Sequence, residues 1–342
     1  MRMISMSMLI PKPRPLLNIQ TGGGGGLDMQ ALINQRALIP QSEKIVVVMG
    51  ATGTGKSRLS IDLATRFPAE IINSDKMQVY RGLDIVTNKI TDDERKGVPH
   101  HLLGMIDPNA DFTANNFCSM ASCAIKSIIG RGKLPIIVGG SNSFVEALIE
   151  NDNRFRSRYN FCCLWVDVPI PVLHSFVSDR VDRMVERGMV DEVKNIFNPN
   201  HFDYSRGIRR SIGVPEFDRF FRAKPFCDEE AQARLLDEAI NQTKINTCNL
   251  ACHQLDKIIR LKNVKGWKIH RLDATEVFTK QGQGQGQEEA DEAWENLVVG
   301  PSTKIVSKFL FNHHATMVYS NPAPVRLGMG MAMPVAAAAS TH

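Results

Sequence analysis

Eight consecutive residues, Gly50-Ala51-Thr52-Gly53-Thr54-Gly55-Lys56-Ser57, fit the spacing G-x-x-x-x-G-K-[ST]. Glycines let the backbone curl so that successive N–H groups point inward, and a helix opening at the end of the loop adds partial positive charge. Lys56 supplies a full charge, and the Ser57 hydroxyl is placed to reach a Mg²⁺ ion. Together these groups bind a di- or triphosphate. A phosphate loop alone does not separate an NTPase, a kinase and an enzyme that merely grips a diphosphate.

Other residues narrow the chemistry. Asp75, in Asn73-Ser74-Asp75-Lys76, falls just past an apolar run and could be a base, a metal ligand or a helix cap. Lys89 could contact phosphate or simply be solvated. The run ending in Gly139-Gly140-Ser141 permits close backbone approach to a ligand, with Ser141 able to donate to a phosphate oxygen. It carries no terminal acid to hold metal or activate water; Asp167, ending the next run, could do so instead. Arg206, Arg209 and Arg210 form a basic stretch that is either a clamp for a leaving diphosphate or a solvated loop.

These groups need a scaffold, and the pattern predicts one. Candidate strands at Ile45–Met49, Ala69–Ile72, Leu134–Val138 and Cys162–Val168 alternate with helical segments, among them Arg58–Ala64 and Asn116–Gly130. Apolar strands in such alternation imply an α/β fold of the P-loop kind: a doubly wound parallel sheet covered by helices on both faces, with ligands at the strands' carboxyl ends. A helical insertion over about 173–261 follows. Leu173–Phe197 carries one apolar stripe, and Glu229–Leu261 reads as one long or two shorter helices. Gln281–Glu289, a Gln/Gly repeat, reads as a solvated loop.

Composition sets outer bounds. Over 342 residues, 43% hydrophobic and 23% charged content is that of a globular protein, and no apolar run approaches the length of a membrane-crossing helix. Arg2, Lys12 and Arg14 alone account for three of the five net positive charges, so charge gives no argument for nucleic-acid binding. Seven cysteines without a disulfide-framework spacing suggest a reducing compartment. Cys248 and Cys252, four apart, read as one buried helix face rather than half a metal site. Residues 1–43, with basic residues at the start and a run of glycines at Gly22–Gly26, suit an organelle transit peptide and linker or a merely disordered extension. The main domain is expected over 44–319, with a disordered tail over 320–342.

Longer stretches are familiar. GATGTGKS, NSDKMQVYRGLDIVTNK (Asn73–Lys89), GVPHHLLG (Gly97–Gly104), DFTANNF (Asp111–Phe117), IIVGGSNSFVEAL from Ile136 and GIRRSIGVPEFD from Gly207 closely resemble the plant adenylate isopentenyltransferases, over about residues 44–278. Those enzymes make cytokinin precursors and are distant relatives of the tRNA isopentenyltransferases. The resemblance implies that the loop holds the diphosphate of dimethylallyl diphosphate, while AMP, ADP or ATP presents adenine N6 from the opposite side. Asp75 matches the family's general base, and Thr52 the threonine beside the bridging oxygen of the leaving group. Lys56, Ser57 with Mg²⁺, and Arg210 would neutralise the departing diphosphate. His253 stands where relatives generally carry arginine, which puts one basic contact in doubt.

A monomer with no membrane partner is expected, and the composition of the leader points to a plastid, with the cytoplasm and the mitochondrion left open. ADP and ATP would be favoured over AMP if cations such as Lys89, Arg158 and Arg206 gathered near the nucleotide's phosphates. Two other readings stay open. One is a tRNA dimethylallyltransferase, against which stand the mild charge and the lack of a Cys/His zinc module; the other is a P-loop kinase or nucleotide-binding regulator.

Overall fold

The computed structural model describes residues 43–151, 153–282 and 287–311. The expected leader, apart from Glu43, and the expected tail lie outside them. Strand β1 (Glu43–Met49) reads as an unbroken apolar run because both its faces are covered. Ile45, Val47 and Met49 enter one core and Val46 and Val48 the other. The phosphate loop follows, then helix α1 (Lys56–Arg66), β2 (Ala69–Asn73), β3 (His100–His101), α2 (Ala114–Gly130), β4 (Leu134–Val138), α3 (Asn142–Glu150) and β5 (Tyr159–Asp167). The second half is mostly helical: α4 (Ile170–Glu186), α5 (Met189–Ile196), α6 (Glu229–Asn263), β6 (Ile269–Asp273), α7 (Thr275–Gly282), α8 (Gln287–Trp294) and α9 (Gly300–Phe311).

The six strands form one parallel sheet in the order β3-β2-β4-β1-β5-β6. The chain winds toward β2 after β1 and toward β5 after β4. The crevice beyond the carboxyl ends of β1 and β4 is therefore a topological switch point, where doubly wound sheets receive ligands. The phosphate loop leaves β1 there, and Gly139-Gly140 leaves β4 there.

The expected strands are present and the parallel α/β sheet is the one anticipated, with two additions. β3 has two residues and β6 follows the long helix, so neither gives a full strand pattern. The stripe over Leu173–Phe197 breaks into α4 and α5 at Gly188, whose φ of +100° ends one helix and opens the next. The segment Glu229–Leu261 lies within one helix, α6, of 35 residues, about 52 Å long, free of glycine and proline and capped by the Asp228 side chain on the Ala231 N–H. The loop expected at 281–289 is helical at Gln281–Gly282 and from Gln287 onward; residues 283–286 lie outside the described residues.

Below the site, Glu70 of β2 is buried and meets three basic side chains: Arg131 at 2.6 Å, the His101 imidazole of β3 at 2.7 Å and Lys133 at 3.1 Å. Burial works to raise its pKa, but the hydrogen bonds from Arg131, His101 and Lys133 prevail and bring it down to about 2. A carboxylate depressed in the folded state contributes stability above its ordinary range and loses it as pH falls from about 4.5 to about 2. Stabilities of wild type and Glu70→Gln should thus differ most near neutral pH and converge only below about pH 2, the neutral gap being on the order of 3 kcal/mol, as read from thermal midpoints.

Candidate active site

The phosphate loop is shaped by its own polar atoms. The Ala51 carbonyl accepts from the Thr54 hydroxyl (2.9 Å) and from Lys56 Nζ (2.6 Å), drawing the loop into a ring. Gly53 and Gly55 have φ of +88° and +85°, left-handed values that glycine adopts without cost. No side chain caps α1, which leaves its first N–H groups to face an incoming anion. Lys56 is half-buried, and desolvation lowers its pKa to about 8 despite the opposing pull of Asp75; Arg180 lowers it further.

Thr52 is held from two sides. Its N–H donates to Gln254 Oε1 of α6 (2.6 Å), and its hydroxyl accepts from Arg180 Nη2 of α4 (2.9 Å). Gln254 also donates through Nε2 to the Gly140 carbonyl (3.0 Å), and its own carbonyl accepts from Asn142 Nδ2 (3.2 Å). One side chain therefore ties the end of β1 to the end of β4. Arg180 is half-buried, and its pKa falls to about 10 through desolvation and the neighbouring Arg183, against the attraction of Asp75. Its Nε is buried with no hydrogen-bond partner among the described residues. A cation desolvated to this degree fits a pocket that takes up anions.

Asp75 combines two of the roles open to it. Its Oδ1 accepts from the N–H groups of Met77 (2.9 Å) and Gln78 (3.4 Å), capping the turn after β2. That leaves Oδ2, on the Gly140 side, for chemistry. The glycine pair lines the cavity and is needed for close protein contact as well. A Cβ on Gly139 would lie 2.5 Å from the Asp75 nitrogen, and one on Gly140 would lie 2.3 Å from Gln254 Nε2.

Thr52, Lys56, Ser57, Asp75, Arg180 and Arg210 all line one cavity of about 510 Å³, a volume suited to a small-molecule site. Met77, Val86, Ile90, Met184 and Leu250 give it an apolar wall.

Several expected residues lie elsewhere. Lys89 is buried, donating to the Gly82 carbonyl (2.6 Å) and pairing with Asp84 (3.0 Å); it locks its own turn and does not line the cavity. The Ser141 hydroxyl accepts from the Lys76 N–H (2.9 Å), so it positions the Asp75 turn. Arg209 donates to the Ile196 carbonyl (3.2 Å) and Arg206 is exposed; only Arg210 of that stretch reaches the cavity. Arg158 pairs with Glu43 (2.9 Å) at the opposite end of the sheet. Asp167 is neutralised by Arg271 (2.6 Å). Cys248 and Cys252 are half-buried on α6, with Cys252 Sγ 3.5 Å from His174 Nε2. His253 is exposed.

Arg180 and Gln254 are the site residues that the sequence reading missed. Each had a signal. Arg180 falls three residues after Val177 and four before Met184, inside the buried stripe of α4. Gln254 falls in the buried series Thr247, Ala251, Gln254, Ile258 of α6. A polar side chain within an apolar stripe needs a partner, and the phosphate loop is that partner.

The chain matches the IPP transferase family over residues 78–156 and 149–258. It is 61% identical to a chloroplastic adenylate isopentenyltransferase of Arabidopsis thaliana, over 79% of this chain and 80% of that protein. It is 30% identical to a tRNA dimethylallyltransferase of the same plant, over 86% of this chain and 84% of that one. Among solved structures it resembles a tRNA isopentenylpyrophosphate transferase from Bacillus halodurans, with a TM-score of 0.61 and 27% identity over 80% of this chain and 100% of the other.

Because Lys56 keeps its proton only below about pH 8, affinity for inorganic pyrophosphate should fall as pH rises past that point, by at most about tenfold per unit. Calorimetry across that range checks this. Lys56→Arg, which does not deprotonate, should flatten the dependence.

Proposed function

The chain belongs to the adenylate isopentenyltransferase family, and from that premise we propose that it transfers the dimethylallyl group of dimethylallyl diphosphate to adenine N6. The acceptors are ADP and ATP, with AMP less favoured, and pyrophosphate is released; this is the first step of cytokinin biosynthesis. The observation that carries the reading is the meeting of one carboxylate, Asp75, with the phosphate loop and Arg180 around a single cavity.

An exocyclic adenine amine is a poor nucleophile, so a carboxylate within hydrogen-bond reach of N6 is needed. Asp75 Oδ2 takes the N6 proton as the N6–C1 bond forms and the allylic C1–O bond breaks. The Thr52 hydroxyl already accepts from Arg180, so its own proton is directed to the bridging oxygen on which charge develops. Lys56 and Arg210 add charge around the departing diphosphate. Among the described residues no three His, Cys, Asp or Glu side chains converge as a metal site. A Mg²⁺ ion would then be held by Ser57 together with diphosphate oxygens and water, a donor set suited to that ion, and would neutralise the leaving group. The proposal places the enzyme in the plastid, the compartment named for the Arabidopsis relative.

With Lys89 and Arg158 paired elsewhere and Arg206 outside the cavity lining, the cations left for an acceptor's phosphates are Lys76 and Arg210, which line the cavity. Burial lowers the pKa of Lys76, as do the nearby charges of Arg210 and Lys257, which marks a cluster of like charge that an anion would relieve. The test is incubation with dimethylallyl diphosphate, Mg²⁺ and ADP, AMP or unmodified tRNA, followed by mass spectrometry. Prenylated ADP is expected, with Lys76→Gln losing several-fold in its preference for ADP over AMP. Modified tRNA alone would make the chain a tRNA enzyme, and an unchanged preference would remove Lys76 from the acceptor's site.

A further inference from the structure

Helix α8 lies along the outer face of α1, and three ties hold it there. Asp291 pairs with Arg58 (2.8 Å), Trp294 Nε1–H donates to Asp62 Oδ2 (2.8 Å), and Glu295 pairs with Arg66 (2.8 Å). Residues 58, 62 and 66 are four apart and so share one face of α1. The two outer pairs are exposed and contribute little by themselves. Trp294 between them is 2% exposed, with the Arg58 guanidinium 4.8 Å over its ring. Its far edge abuts the phosphate loop: a Cβ on Gly55 would lie 2.7 Å from Trp294 Cη2 and 3.0 Å from Cζ3.

Gly55 is the residue on which the loop turns into α1, in a left-handed conformation and without a side-chain cap. The indole fills the space behind it and is anchored about two turns further along the same helix, at Asp62. A π-helical turn, Glu295–Val299, follows directly, and its Val298 and Val299 are buried against the sheet side of the segment. Insertions of this kind within helices re-aim side chains and are frequent near functional sites.

We propose that Trp294 is a positioning residue for diphosphate binding: it touches no substrate, and acts through Gly55 to keep the N–H groups at the start of α1 aimed into the cavity. This rests on reading the loop as the diphosphate cradle. The geometry also explains why a low-complexity repeat is tolerated just before α8. The three ties all lie C-terminal to residues 283–286.

The test compares Trp294→Leu, Trp294→Phe and Asp62→Asn in the full chain, reading pyrophosphate affinity by calorimetry, KM for each substrate, and thermal midpoint. Trp294→Leu should weaken pyrophosphate binding and raise KM for dimethylallyl diphosphate by about tenfold, with KM for ADP nearly unchanged. Trp294→Phe, which keeps a ring behind Gly55, should recover most of the loss. Asp62→Asn keeps the indole buried and should give a smaller loss of the same kind, which carries the test should the leucine variant not fold. Unchanged pyrophosphate affinity in the folded variants, with only the thermal midpoint lowered, would overturn the proposal. Pyrophosphate binding needs no prenyl transfer. A failure to prenylate ADP would therefore count against the enzymatic reading and leave this measurement standing.

Discussion

The bond from the Thr52 N–H to Gln254 Oε1 joins two parts of the chain 202 residues apart, and most of the site's geometry depends on it. Gln254 reaches from the long helix α6 into the crevice between β1 and β4, where its amide also holds Gly140. The Gly139-Gly140 pair can approach so closely only because neither residue has a side chain, and that approach sets Asp75 beside the phosphate loop. Arg180 holds Thr52 from the other side through its hydroxyl. The loop is thus shaped from within by the Ala51 carbonyl and located from without by α4 and α6.

Electrostatics give the junction its purpose. Lys56 and Arg180 are both half-buried, and both have lowered pKa values because desolvation outweighs what the single carboxylate of Asp75 returns. Two cations to one anion leaves an excess of positive charge in a partly desolvated space. A diphosphate would neutralise that excess and raise both pKa values back toward their ordinary range. The same arrangement keeps an anionic carboxylate next to the reacting centre, where a base is wanted. Arg180, polarising Thr52, places the strongest positive charge where the leaving oxygen would develop its own.

What could be read from the sequence was what is local. The phosphate loop is a contiguous pattern, β1 and β4 are short apolar runs, and Asp75 stands at a strand end, so loop, sheet and carboxylate were all visible. Arg180 and Gln254 were not, because their partners lie far away in sequence and their helices are mainly apolar stripes broken by one polar residue. Lys89 misled for the opposite reason: paired with Asp84 inside its own turn, it is written the same way as a lysine free to meet phosphate. The glycines of β4 were read correctly as a close approach, but the thing approached is Asp75 and Gln254. Trp294 carried no signal at all, since nothing in a helix of acidic residues and alanines tells which face meets α1.

The central claim is that one carboxylate takes the N6 proton while the loop around it grips the diphosphate. The measurement that tests it most directly is Asp75→Asn, assayed for prenyl transfer to ADP and, separately, for pyrophosphate binding. Asparagine can preserve the turn-capping contacts of Oδ1 but cannot accept the proton, so turnover should fall by about 10²–10⁴ while pyrophosphate affinity changes little. Near-normal turnover in that variant would contradict the account and leave Asp75 as no more than the cap of its turn.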